Sequence, residues 1–202
     1  MKLYEPNYGE AIIVAVVNAT QMAHKFILPR LANATLVIDA TAGNGNDTLF
    51  LAKNSSAETT VWAFDIQPHA IANTRLLLEK HDFSHKVRLI LDNHANIANY
   101  ISHPIDIAMF NLGYLPGGDH SKNTCPETTL QALKQTLQLI TVGGLLTIAT
   151  YPGYEHGKME TAAVHQYLTT LPQQTFTVAS WTMVNQVNSP PVLYIIEKRR
   201  SE

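Results

Sequence analysis

Apolar residues along this chain gather in short β-rich runs that alternate with longer stretches of helical spacing. Residues 10–31 are mostly apolar and predict a helix halted near Pro29. A first strand is predicted over 35–40, ending in a glycine turn, with a helix over about 47–53 behind it. A second strand follows at 59–65. The next helix, 68–81, has Pro68 at an early position and apolar Ile71, Leu76, Leu77 and Leu78. A third strand, 86–91, leads to a short helix ending at Ile101, and a fourth strand spans 105–111. After a Gly/Pro loop comes a helix over about 127–140, and Gly143 and Gly144 then turn the chain into a fifth strand, 145–151. A helix near 159–171 precedes two last strands, 175–184 and 192–198, separated by a loop with Pro190 and Pro191.

Strands alternating with helices predict an α/β fold, a parallel sheet with helices on both faces, because parallel neighbours need crossover connections. The last two strands have no helix between them, so the seventh should run antiparallel to the other six. No repeat or long linker divides the chain, which reads as a single domain over 1–202 with residues 1–33 as an N-terminal helical extension. In open α/β sheets ligands bind at the carboxyl ends of the parallel strands. The loops after strands one to five therefore form the working edge, and the 185–191 loop joins them. The reversed seventh strand carries Lys198, Arg199 and Arg200 to the opposite edge.

Composition removes several classes. With 202 residues, 46% hydrophobic and 15% charged, the chain can bury a sizeable core and is not a disordered segment. Cys125 has no partner in the chain, which excludes a disulfide scaffold and makes a reducing cytoplasm the expected compartment. Asn18, Gln21, His24 and Lys25 interrupt the apolar run well short of a membrane helix, and Glu5 and Glu10 stand where a signal peptide would be basic. A formal charge of -2 gives no global field for a polyanion, so contact with nucleic acid must rest on a local patch.

The chemistry concentrates at strand ends. The first strand runs into Asp39-Ala40-Thr41-Ala42-Gly43-Asn44-Gly45-Asn46-Asp47-Thr48, where glycines allow a sharp turn and helix-start amides face a pocket. A P-loop would need a Gly-Lys pair, which is missing, and a dinucleotide fingerprint would want Gly or Ala where Thr48 stands. Two readings remain: a βα turn that needs its glycines only for geometry, and a site for S-adenosylmethionine. For the second, Asp39 would face the cationic groups, with Thr41, Gly43, Asn44, Gly45, Asn46, Asp47 and Thr48 lining the loop. Asp65, with Ile66 and Gln67, would take the ribose hydroxyls, although an acid before Pro68 is also a common helix cap. After strand three, Asp92, Asn93 and His94 offer polar groups to adenine.

The fourth strand ends in Asn111-Leu112-Gly113-Tyr114-Leu115-Pro116-Gly117-Gly118, where a transferable methyl should point. Amine methyltransferases carry Asn-Pro-Pro-Tyr at this point. An Asn oxygen and a backbone carbonyl accept the amine hydrogens and aim its lone pair, while a Tyr ring stacks on a planar base. Asn111, the carbonyl of Leu112 or Gly113, and Tyr114 would supply that set. The plainer alternative is an apolar turn capped by Asn111. No metal site is expected: His81 and His85 are four apart, but they flank a helix end and turn, and no Cys/His quartet exists. A nucleophile elbow is missing as well, which sets hydrolases aside.

Four segments together resemble a known family. They are 39–48, Phe64-Asp65-Ile66-Gln67, the string FNLGYLPGGD at 110–119, and Asn185-Gln186-Val187-Asn188-Ser189-Pro190-Pro191 with Ile196-Glu197-Lys198. The chain is similar over roughly 36–198 to the bacterial family labelled rRNA methylase, whose members resemble the methyltransferase acting on 5-aminomethyl-2-thiouridine at the tRNA wobble position. The FNLGYLPGGD string is specific; the glycine loop is shared by all class I methyltransferases. The resemblance implies a class I, Rossmann-like methyltransferase fold and S-adenosylmethionine as donor. It further implies methylation of the exocyclic aminomethyl nitrogen and often a homodimer. Catalysis would fall to Asn111, Gly113 and Tyr114. The tRNA anticodon stem-loop would meet Tyr114, Leu115, Pro116, Gly118, Lys122, Lys158, Asn185 and Asn188, and a second subunit would add Lys25, Arg30 or the basic tail. Tyr154 departs from the family pattern, which has His there. The competing expectations are an rRNA or small-molecule methyltransferase and a non-catalytic adenosylmethionine-binding protein.

Overall fold

The computed structural model describes residues 16–113 and 124–201. Asn18 opens the first helix, α1 (Ala19–Leu31), by accepting a hydrogen bond from the Gln21 amide. Ala19, Ala23, Ile27 and Leu31 recur every fourth residue and form its buried stripe. Pro29 sits inside the last turn, so the helix outruns it by two residues; the expected helix over 10–15 lies outside the described residues. The chain continues through β1 (Leu36–Asp39), α2 (Asn46–Asn54), β2 (Thr60–Asp65), α3 (Pro68–Lys80), β3 (Val87–Leu91), a short α4 (Ile97–Tyr100) and β4 (Ile105–Asn111). Then come α5 (Pro126–Leu139), β5 (Ile140–Thr150), α6 (Glu155–Thr169), β6 (Phe176–Thr182) and β7 (Val192–Lys198).

The strands form one sheet in the order β3-β2-β1-β4-β5-β7-β6. Pairing is parallel from β3 to β5, and β7 is antiparallel to both its neighbours, as expected for a last strand that returns without a helix. Alternation along each central strand divides the core between two faces. Val37, Ile107 and Met109 pack with the stripe of α1 and with Leu51 and Ala52 of α2, while Ile38, Ala108 and Phe110 pack with Leu133 of α5 and Val164 of α6. Residues 19–31 thus cover one face of the sheet and belong to its core.

Three boundaries differ from the pattern. β5 begins at Ile140, directly after α5, because Gly143 (φ 81°) and Gly144 form an irregularity inside the strand, where the register against β4 shifts. α6 starts at Glu155, four residues before its apolar spacing becomes visible, and β6 ends at Thr182. The register sets Asp39 beside Ala63 and Met109, and Asn111 beside Ala149, so the carboxyl ends of four neighbouring strands line up. At the other edge Lys198 pairs with Phe176 and the Arg199 amide donates to the Thr175 carbonyl, which places the basic tail away from that row.

Candidate functional site

A cavity of about 1100 Å³ opens along the aligned strand ends. Its floor is the turn after β1, bordered by Thr41, Gly43, Asn44, Asn46 and Asp47. Gly43 (φ 54°) carries the chain through a conformation that a side chain would strain. Its amide donates to Asp65 Oδ2 at 2.9 Å, and Asp65 Oδ1 accepts from the Gln67 amide at 2.9 Å. One carboxylate therefore joins the β1 turn to the start of α3 while still bordering the cavity with Ile66 and Gln67. Asp92, Asn93 and His94 form the next part of the wall. Asp92 accepts from the Asn96 side chain and the Tyr100 hydroxyl, which hold its carboxyl below the ordinary range.

Asp39, Gly45 and Thr48 lie behind this wall rather than on it. Asp39 is fully buried, its carboxylate taken by the Thr41 amide and the Thr48 hydroxyl, so it shapes the turn from beneath instead of facing a ligand. Burial, reinforced by the nearby Asp47 charge, raises its pKa to about 7. Gly45 (φ 84°) is needed for a close approach to protein: a Cβ there would stand 2.9 Å from the Thr74 Cα of α3.

His94 is nine-tenths buried, and desolvation lowers its pKa to about 4, so the ring is neutral at pH 7. Its Nδ1 lies 3.2 Å from the Ala40 carbonyl, which can only accept; Nδ1 therefore carries the proton and Nε2 is an acceptor. Nε2 of His94 and Oε1 of Gln67 are buried polar atoms without a hydrogen-bond partner among the described residues, both on residues bordering the cavity.

Asn111, at the end of β4, sits at the centre of the edge. Its amide N–H donates to the Thr41 hydroxyl (2.8 Å), its Nδ2 donates to Asp47 Oδ2 (3.1 Å), and its Oδ1 accepts from the Tyr151 hydroxyl (2.6 Å). Burial pushes the Tyr151 phenol upward in pKa, keeping it a donor. Asp47 Oδ1 in turn lies 2.8 Å from His24 Nε2, and the Thr20 hydroxyl lies 3.4 Å from the Tyr151 hydroxyl. Gly113 (φ 122°) follows, tied to Thr124 by two bonds: its amide donates to the Thr124 hydroxyl and its carbonyl accepts from the Thr124 amide. Thr124 also donates to the buried Glu160, which accepts from Thr129 too and whose pKa is raised by burial.

Tyr114, Leu115, Pro116, Gly118 and Lys122 lie outside the described residues. Asn188 (φ 64°) borders the cavity with Gln186, Val187 and Pro190, whereas Asn185 and Lys158 do not. Lys158 is exposed, 3.6 Å from Glu155. Thr20, Thr124, Cys125, Tyr151 and Tyr154 border the cavity unforeseen. Tyr151 directly follows β5, so the strand-end rule that singled out Asn111 also reaches it; nothing in the spacing of the first thirty residues places Thr20 near this edge. Among the described residues no cluster of three His, Cys, Asp or Glu could hold a metal ion, and no helix is long and apolar enough to cross a membrane.

A seven-stranded sheet of this order with one reversed strand, and a glycine turn, acid and Asn at successive strand ends, define a class I methyltransferase. The profile of the family described as Putative rRNA methylase matches residues 61–197, and the chain belongs to that family. The chloroplastic tRNA (mnm(5)s(2)U34)-methyltransferase of Arabidopsis thaliana is 33% identical over 190 residues, 89% of this chain and 69% of that protein. The crystal structure of a protein from Clostridium thermocellum described as "putative rRNA-methylase" is 42% identical with a TM-score of 0.89, covering 92% of this chain and 100% of that one. A Streptococcus mutans protein described as "a putative methyltransferase" and solved in complex with SAH is 41% identical with a TM-score of 0.83, covering 91% of this chain and 99% of that one.

Proposed function

We propose that this protein uses S-adenosylmethionine to methylate the aminomethyl nitrogen of 5-aminomethyl-2-thiouridine at the tRNA wobble position. The observation that carries the reading is the Asn111 amide at the centre of the cavity edge, its oxygen held beside the Tyr151 hydroxyl. Support also comes from the Arabidopsis relative, named for this wobble base, and from the S. mutans relative, which holds SAH.

The residues fit the cofactor. Asp65 has lone pairs beyond those used by Gly43 and Gln67 to accept ribose hydroxyls, and the two orphaned acceptors, Gln67 Oε1 and His94 Nε2, suit a ligand rich in N–H and O–H donors. Asp92 and Asn93 border the region proposed for adenine. When bound, S-adenosylmethionine supplies an electrophilic methyl group on a sulfonium. The protein's part is to accept an amine N–H at Asn111 Oδ1, which turns the nitrogen lone pair toward the cofactor side of the cavity. Tyr154 and the 186–191 loop wall the side where a base would enter, and stacking by Tyr114 belongs to the same reading. A cytoplasmic homodimer is part of it too, since one subunit of net charge -2 offers few cations to an anticodon stem.

The test is incubation with methyl-labelled donor and three RNAs: tRNA bearing 5-aminomethyl-2-thiouridine, the same tRNA without the aminomethyl group, and rRNA. Label is expected in the first alone, in the methylaminomethyl nucleoside after digestion. Label in rRNA alone would replace this substrate, and donor binding without transfer to any of the three would point to a non-catalytic binder.

A further inference from the structure

We infer that His24 and Asp47 are positioning residues that fix which end of the Asn111 amide is offered to the substrate. An asparagine amide is a donor at one end and an acceptor at the other, and its two orientations occupy nearly the same space. A carboxylate accepts only, so Asp47 Oδ2, 3.1 Å from Asn111 Nδ2, selects the NH2 end. The Tyr151 hydroxyl, 2.6 Å from Oδ1, occupies one lone pair of the acceptor end and leaves the second for an incoming N–H. Turned over, the amide would set oxygen against the Asp47 carboxylate and NH2 against the hydroxyl hydrogen. The Asn111 backbone cannot follow such a turn, because its N–H is held by the Thr41 hydroxyl.

His24 supplies the other half of the device. Its Nε2 lies 2.8 Å from Asp47 Oδ1 and must carry a proton there, since the carboxylate has none to give. The ring stacks flat on Phe50 of α2, with centroids 3.7 Å apart and planes 6° apart, which fixes the direction of that N–H. Asp47 stands in the first turn of α2 and His24 in α1, so the N-terminal helix reaches the reacting centre through two hydrogen bonds, although His24 itself does not border the cavity. This inference rests on the amine reading above, in which Oδ1 is the atom that accepts the amine N–H.

Three variants test it. His24→Phe keeps the stack and removes the donor; His24→Gln keeps a donor of similar reach; Asp47→Asn lets either end of Asn111 face residue 47. With aminomethyl tRNA, His24→Phe and Asp47→Asn are expected to lower kcat about tenfold; in His24→Phe, whose residue does not border the cavity, the KM for tRNA and the Kd for S-adenosylmethionine should stay within twofold of wild type. His24→Gln should recover most of the rate. In parallel, the Asn111 side-chain amide is followed by NMR of 15N-labelled protein, assigned by its loss in Asn111→Ala. Its NH2 pair should shift and exchange faster with water in His24→Phe and return to the wild-type position in His24→Gln. Unchanged kcat and an unchanged Asn111 resonance in both His24→Phe and Asp47→Asn would overturn the inference, as would a loss of cofactor affinity in His24→Phe that accounts for its whole rate effect. If wild type leaves the aminomethyl tRNA unmethylated while the Asn111 resonance responds as described, the substrate reading fails and the positioning role stands.

Discussion

Two buried groups near the cavity titrate in opposite senses. Asp39 carries a folded-state pKa of about 7 against an ordinary 3.8, raised by burial and by Asp47. Its contribution to stability is therefore fully present below about pH 4 and is lost as pH rises through 7. His94 is depressed by burial to about 4 from an ordinary 6.5, so below 6.5 the unfolded chain takes up a proton that the folded protein refuses. Its contribution is present above 6.5 and is lost as pH falls toward 4. The shifts correspond to about 4 and about 3 kcal/mol respectively, and the windows overlap, so these two contributions should largely cancel each other between about pH 4.5 and 6.5. Asp39→Asn removes one arm. Compared with wild type in urea, this variant should gain a few kcal/mol in relative stability on going from pH 4.5 to 7.5. A pH-independent difference would mean that Asp39 ionises like an exposed carboxyl.

At the scale of elements, the alternation of strands and helices was legible because each central strand is buried on both faces and each helix carries an apolar stripe. Hidden features were those fixed by packing between elements. Gly143 and Gly144 have the composition of a turn, yet they lie within β5. Gly45 has the composition of a ligand loop, yet its bare face meets Thr74. At the site, the ends of β2 and β4 bring Asp65 and Asn111 to the cavity, a placement the strand-end rule anticipates, whereas His24 depends on α1 folding back over the sheet, which no local spacing encodes. Gly157 was equally silent. It sits in the first turn of α6, where a Cβ would overlap the Tyr151 carbonyl oxygen and lie 2.9 Å from the Tyr154 ring. Backbone cannot yield as a side-chain tip does, so Gly157→Ala must push α6 away from the end of β5. The expected outcome is a destabilisation of about 1–3 kcal/mol together with a larger loss of methyl transfer than of cofactor binding, read by thermal unfolding, calorimetry and the tRNA assay. Wild-type transfer in a stably folded variant would show that the placement of Tyr151 does not matter.

For the whole molecule, the two edges of the sheet have different characters. The cavity edge carries Lys158, and Lys122 follows β4 in the chain, while Lys198, Arg199 and Arg200 lie at the far edge. If tRNA crosses the cavity edge, Lys122→Ala with Lys158→Ala should weaken binding and reduce the salt slope by roughly 0.7 to 0.9 for each phosphate that is no longer neutralised. Neutralising the tail should leave both unchanged unless a second subunit presents it to the RNA; filter binding across a salt series reads either result. The Thr124 hydroxyl accepts from the Gly113 amide and donates to Glu160 of α6, so one oxygen atom links the end of β4 to the helix that follows β5. A displacement of α6 is thereby passed to the backbone two residues beyond Asn111, and that hydroxyl works as a lever between the packing of a helix and the geometry of the cavity edge.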